Sequence, residues 1–424
     1  MWDRRSFLAT MAVTPFALAA DSTKLPAPNQ LPVHEALPDP LVMLDGTRVK
    51  TKEDWWNRRR PELKLLFQHY MYGYFPEKTV QTSSKLLYEN KMAFGGKGTL
   101  REIEVSYGPA GTPSTKVMLA IPNNAKGKVP VFVGLNFSGN HSFVDDPKIQ
   151  IPTAWMYDRY PGVEKNRATE KGRGTAKDVW NIEETLADGF ATATFYSGDV
   201  DPDIKEPRNG IQPHLEKAGI SMAGPNAWGT IAAWSWGTSR VIDVLAADPL
   251  LDAKKIIVVG HSRLGKAALL TAAFDERVAL AIPNQAGCGG TAPSRGTVGE
   301  SVQRINTSFP HWFNANFKEF NTQPAKIPFD QNCLVALCAP RPVLFTNAVE
   351  DTWANPDGQF EVLKAAQGSY KFLGAEGLAS QDKPALGKLS DGNLGYFIRA
   401  GKHSMTPIDW QAYRAFAKKN LPKS

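Results

Sequence analysis

Hydrophobic and polar positions change their rhythm along this chain, and each change marks a different kind of element. Residues 21–50 are rich in Pro and show no period, which predicts an extended arm over a surface. From 51 to 74, aromatic and apolar residues recur at helical spacing through Asp54-Trp55-Trp56 and 63–72, and the run stops at Gly73 and Pro76. Alternating segments at 98–107 and 115–121 then have the pattern of antiparallel strands joined by Gly-Pro turns. Further on, alternation gives way to continuous apolar, β-branched runs at 129–137, 191–196, 255–260, 278–283 and 342–347. Stretches long enough for helices separate them, among them 234–247, 263–274 and 358–363. Buried strands alternating with helices predict an α/β fold: a three-layer sandwich whose mostly parallel central sheet carries helices on both faces, with an N-terminal antiparallel extension. No repeat or linker interrupts the pattern, so 21–424 is expected to form a single domain.

The first twenty residues stand apart. Arg4-Arg5 precedes Ser6-Phe7-Leu8, and the apolar stretch 9–20 ends in Ala17-Leu18-Ala19-Ala20. A charged start, a short apolar run and a small-residue exit predict a cleaved signal peptide, and the Arg pair resembles a twin-arginine export signal. A secreted or periplasmic location is expected. No other stretch approaches the roughly 20 continuous apolar residues of a membrane span.

Composition removes some alternatives. The net charge is +7, but apart from Arg58-Arg59-Arg60 the basic residues are scattered, which leaves a nucleic-acid partner little support. Cys288, Cys333 and Cys338 can form at most one pair, match no zinc spacing and have apolar neighbours, as buried small hydrophobes do. No metal or cofactor is expected, and the chain is expected to be a monomer.

The chemistry concentrates at 254–266, which reads KKIIVVGHSRLGK. A strand runs into Gly260-His261-Ser262-Arg263-Leu264-Gly265 and a helix-forming stretch follows at once, the setting of a nucleophile elbow with Ser262 at its apex. At a helix N-terminus, backbone N–H groups can meet developing negative charge. The usual G-x-S-x-G is altered, because Leu264 stands where the second Gly belongs and Gly265 comes one later. α/β-hydrolases order their triad Ser, acid, His. Only His311 and His403 follow Ser262, and His403 lies behind an apolar run and ahead of the last amphipathic segment, 407–418. His403 is therefore the expected base. The loop after 278–283 offers only the amides Asn284 and Gln285, whereas the loop after 342–347 offers Glu350-Asp351. A carboxylate can hold the imidazolium that forms when His takes the Ser proton, so Asp351 is the expected acid, with Glu350 as the alternative.

Several motifs resemble a known family. The stretch 260–266 is similar to the G-C-S-R-x-G-K elbow of glucuronoyl esterases, carbohydrate esterase family 15. Gly299-Glu300 with 304–313 (RINTSFPHWF) resembles a block of its bacterial members, and Asp330-Gln331 through Ala339-Pro340-Arg341-Pro342 resembles its D-Q-x…A-P-R-P segment. The resemblance spans roughly 52–421. It implies an α/β-hydrolase without a metal, acting on esters between (4-O-methyl-)glucuronic acid of glucuronoxylan and lignin alcohols. It also implies that Arg263 assists the oxyanion hole, and that Lys266, Glu300 and Trp353 contact the uronate. Trp312 and Gln285 are placed with them as substrate contacts. His261 replaces an elbow Cys that pairs with a second Cys after the catalytic His in fungal members, and here Ser404 follows His403. Gln285 stands where many members carry the catalytic Glu, and Asp351 matches the alternative acid position of some bacterial members. The expected reaction is two-step acyl transfer through Ser262 and His403, with backbone N–H groups, Arg263 and the loop 136–139 around the oxyanion. Two other functions remain open: an acetyl-sugar esterase, and a catalytically weak glycan-binding homologue, to which Gln285 and the 11 Trp lend slight support.

Overall fold

The computed structural model describes residues 25–76, 80–108, 111–206, 210–220 and 226–422, so the signal expected at 1–20 lies outside the described residues. Among the described residues twelve strands are formed: β1 (Thr82–Ala93), β2 (Gly98–Tyr107), β3 (Ser114–Pro122), β4 (Val129–Asn136), β5 (Val163–Glu164), β6 (Arg167–Ala168), β7 (Ala191–Tyr196), β8 (Leu251–His261), β9 (Val278–Asn284), β10 (Val343–Ala348), β11 (Leu389–Asp391) and β12 (Leu394–Arg399). All but the small hairpin β5–β6 join one ten-stranded sheet, in the order β1-β2-β3-β7-β4-β8-β9-β10-β12-β11. From β7 through β12 the pairing is parallel. β1, β2 and β3 form the antiparallel extension, and β11 closes the far edge antiparallel to β12.

Two-residue periodicity explains the layers. Val131 and Val133 of β4, with Ile256 and Val258 of β8, point into one core beside the helices Thr230–Ala247, Arg263–Phe274, Gln331–Cys338 and Pro356–Leu373. Phe132, Ile257 and Val259 point into the other, against Trp180, Ile182, Leu186 and the helix Pro407–Asn420. A strand buried on both faces must be apolar at every position, which is why the central strands show no alternation. This is the fold of an α/β-hydrolase.

Three elements differ from the sequence reading. β1 (TSSKLLYENKMA) is an edge strand, half-exposed on both faces, so neither burial nor alternation marks it in the sequence. The helix expected at 358–363 spans Pro356–Leu373, because buried Val362, Leu363, Ala366 and Tyr370 continue its apolar stripe past Gly368. The helical run 52–72 contains two wide turns, Trp55–Arg59 and Gln68–Tyr72, around a regular segment that begins beside Pro61. Pro lacks the N–H that a regular ladder needs there. All three cysteines are buried and free, and burial pushes Cys288 up to about 12 and the other two up to about 11. Among the described residues no helix is long and apolar enough to cross a membrane.

Candidate active site

Four loops converge at the carboxyl ends of neighbouring parallel strands. Ser262 directly follows β8, Gln285 directly follows β9, Asp351 follows β10, and His403 follows β12. Such strand ends are where open α/β sheets place their reacting groups.

Ser262 caps the helix Arg263–Phe274 with φ 57° and ψ −127°, and its side chain makes no capping bond. A non-glycine residue in this region is strained, and the strain is held by a tight crossing of strand and helix. A Cβ on Gly260 would lie 2.2 Å from the Leu264 carbonyl oxygen, and one on Gly265 would lie 2.9 Å from that of Gly260. The close approach therefore falls at 265, while Leu264 faces the core at 1% exposure. That accounts for the shifted glycine of the elbow.

His403 Nδ1 donates to Asp351 Oδ2 at 2.6 Å. This leaves Nε2 as the nitrogen able to accept a proton, on a ring that is 41% exposed. Asp351 is buried and Glu350 is exposed, so of the two adjacent carboxylates Asp351 is the one turned to the imidazole. The His261 ring packs 4.5 Å from that of His403. Burial, and then the neighbouring His403, Arg399 and Arg263, hold His261 well below the usual histidine range, so its ring stays neutral beside that of His403.

Arg263 is fixed from below. Asp203 Oδ2 accepts from Arg263 Nη1, while Asp203 Oδ1 accepts from His311 Nε2 at 2.9 Å and from Trp312 Nε1 at 2.8 Å. Burial alone would raise the Asp203 carboxyl, but its bonds to His311 and Trp312 and the charge of Arg263 outweigh this and hold it low. The guanidinium also lies 4.8 Å from the Trp312 ring and 5.1 Å from that of Phe309. Its Nε–H is buried without a partner among the described residues.

Lys266, one helical turn on, is buried and donates to the carbonyls of Ala286 and Cys288 at 2.6 and 2.5 Å. Burial lowers its pKa and raises that of Glu300, and each charge supports the other. The Glu300 N–H donates to the Trp353 carbonyl at 3.0 Å. Trp353 itself is 52% exposed. Ser262, His403, Asp351, Arg263, Lys266, Glu300, Trp353 and Trp312 thus form one connected neighbourhood. Gln285 is different: it is 1% exposed, and both its amide atoms are bonded to the main chain of Ser404. In the loop 136–139, the Gly139 N–H donates inward to Asn136 Oδ1 at 2.8 Å. Among the described residues no cluster of three or more His, Cys, Asp or Glu is arranged to hold a metal ion.

Sequence reasoning missed Asp203. It lies in an irregular loop after β7, sixty positions from Arg263, where no period or motif sets it apart from Asp199 and Asp201. His311, set aside as a base, belongs to the same cluster.

A family model described as glucuronyl esterase, fungi, matches residues 178–374. Carbohydrate esterase MZ0003, from an unknown prokaryotic organism, is 43% identical over 390 residues, covering 91% of this chain and 89% of that protein. The chain belongs to carbohydrate esterase family 15. Among solved structures, a promiscuous family 15 esterase from a marine bacterial metagenome superposes with a TM-score of 0.86 at 43% identity, covering 93% of this chain and 99% of that one. A glucuronoyl esterase from Solibacter usitatus gives 0.84 at 34% identity, covering 93% and 100%.

Proposed function

We propose that this chain is a glucuronoyl esterase: a serine esterase that hydrolyses esters of (4-O-methyl-)glucuronic acid, such as those joining glucuronoxylan to lignin alcohols. The observation that carries the mechanism is the 2.6 Å bond between His403 Nδ1 and Asp351 Oδ2 beside the strained Ser262 elbow. With Nδ1 committed as donor, His403 Nε2 takes the Ser262 proton as Oγ attacks the ester carbon. Charge on the carbonyl oxygen is met by N–H groups at the helix start and by Arg263, which Asp203 holds in place before the reaction begins. The ester C–O bond then breaks, His403 returns the proton to the departing alcohol, and water attacks the acyl-enzyme by the same route to release the uronic acid. Lys266, Glu300, Trp353 and Trp312 are proposed as the uronate-facing groups. The mature chain is proposed to be one domain, 21–424, exported with its signal removed.

Ser262→Ala should abolish turnover of methyl and benzyl glucuronate while leaving the melting temperature unchanged, and substantial residual turnover would overturn the assignment. The promiscuity attributed to the metagenomic relative favours a second arm to this assay. Acetate release from acetylated xylan, run beside methyl glucuronate, tells whether acetyl-sugar esters are also substrates.

A further inference from the structure

The His403 ring is open on the solvent side, so its aim depends on how firmly its main chain is held. That hold comes from β9. Gln285 Nε2 donates to the Ser404 carbonyl at 2.9 Å, and the Ser404 N–H donates to Gln285 Oε1 at 3.0 Å. One planar amide therefore grips both polar groups of the residue next to the base. Gln285 is itself fixed in a left-handed conformation, φ 50°, and its own N–H donates to the Thr346 carbonyl of β10 at 2.9 Å. Asn284 Nδ2 and Arg399 Nη2 also donate to the Ser404 carbonyl, at 3.2 and 2.9 Å.

We propose that Gln285 is a positioning residue, whose two-way bond to Ser404 fixes the His403 ring against Asp351. The inference rests on the reading of His403 as the base. It also explains why an amide suits this position once Asp351 supplies the acid. A carboxylate can only accept, so at 285 it would keep the Ser404 N–H bond but turn an oxygen toward the Ser404 carbonyl. An unpaired acceptor of this kind, buried beside another, pushes the loop away.

The test uses Gln285→Met, which keeps the shape and loses both bonds, and Gln285→Glu, which keeps one. With methyl glucuronate, Gln285→Met should lower kcat by about 10- to 100-fold, the usual cost of a misaimed catalytic group, and leave KM within about twofold. Gln285→Glu should behave likewise at pH 8. Its activity relative to the natural chain should recover as pH falls, because a protonated carboxyl donates to the Ser404 carbonyl and accepts its N–H, as the amide does. The charged and titratable groups around this position are Arg399, itself paired to Asp409 at 2.9 Å, together with His261, His403 and Asp351. Rates are counted per active site titrated with a fluorophosphonate, so a loss of folded protein does not pass for a loss of kcat.

Unchanged kcat in Gln285→Met, or a Gln285→Glu variant that gains on the natural chain as pH rises, would overturn the inference. The second outcome would mean that the introduced carboxylate serves as an acid for His403. Ser262→Ala separates the two levels: if it stays active the underlying reading fails, and if it is dead while Gln285→Met is unimpaired only the inference fails.

Discussion

Replacing Asp203 by Asn tests how the proposed oxyanion site is built. Asp203 receives three donors, from Arg263, His311 and Trp312, and both it and Arg263 are nearly buried, with side chains 10% and 12% exposed. Asparagine can still accept from His311 and Trp312 through its carbonyl oxygen, but it turns an N–H₂ toward Arg263 and removes the negative charge. Breaking one side of a buried ion pair costs about 3–5 kcal/mol, because the remaining charge stays desolvated. Arg263 can escape that cost only by swinging toward solvent, away from the elbow. Loss of one oxyanion donor typically lowers kcat by about 10²–10³-fold. Asp203→Asn is therefore expected to lose about 10²-fold or more in kcat on methyl glucuronate, close to the loss from Arg263→Ala, and to melt at lower temperature. The double variant should be little worse than either single one, since both remove the same function. The assay is steady-state kinetics on the four proteins of that cycle. If Asp203→Asn kept kcat within about threefold while Arg263→Ala fell a hundredfold, the ion pair would not be what places the guanidinium, and the reasoning would fail.

Asp351→Asn should lower kcat by about 10³–10⁴-fold, because an amide leaves the imidazole free to take the wrong tautomer, whereas Glu350→Gln should stay close to the natural rate; parallel pH–rate profiles check both. Burial holds the Asp201 carboxyl up to about 7, against an ordinary 3.8, so between those values the folded chain keeps a proton that the unfolded chain gives up. Its contribution to stability is complete below pH 3.8, falls as pH rises toward 7 and is level above that, a change of up to about 4 kcal/mol. Asp201→Asn should therefore melt higher than the natural chain at pH 8 and lose that advantage at pH 4, as melting curves across pH will show.

What could be read from the chain follows from how local its causes are. The parallel strands are visible because burial on both faces imposes an unbroken apolar run, as at 255–260. The elbow is visible because strand, Ser and helix are adjacent in sequence. The sequence already placed Asp351 ahead of Glu350 but left Glu350 open, since neighbouring side chains leave a loop in different directions and only the fold shows that Asp351 is the one that meets His403. Asp203 was not legible at all. Its importance comes from the return of the 309–313 segment, which brings His311 and Trp312 onto Asp203 from more than a hundred positions away. Gln285 was placed among the substrate contacts, but its amide bonds lie on the main chain of Ser404, and nothing in its neighbours' identity reveals which way the turn after β9 delivers that side chain.

The adjacency of β9, β10 and β12 has a consequence for how such sites change over time. The ends of β9 and β10 both reach the loop that carries His403, one at Ser404 and the other at the imidazole itself. An ancestor bearing carboxylates at both ends would have had two routes to the same base, so either could be altered without passing through a dead enzyme. With a carboxylate on the outer strand, the inner position need not titrate and is free to act as a fastener. A parallel sheet with several strand ends around one histidine thus offers spare mountings, and lineages can exchange them while the reaction continues.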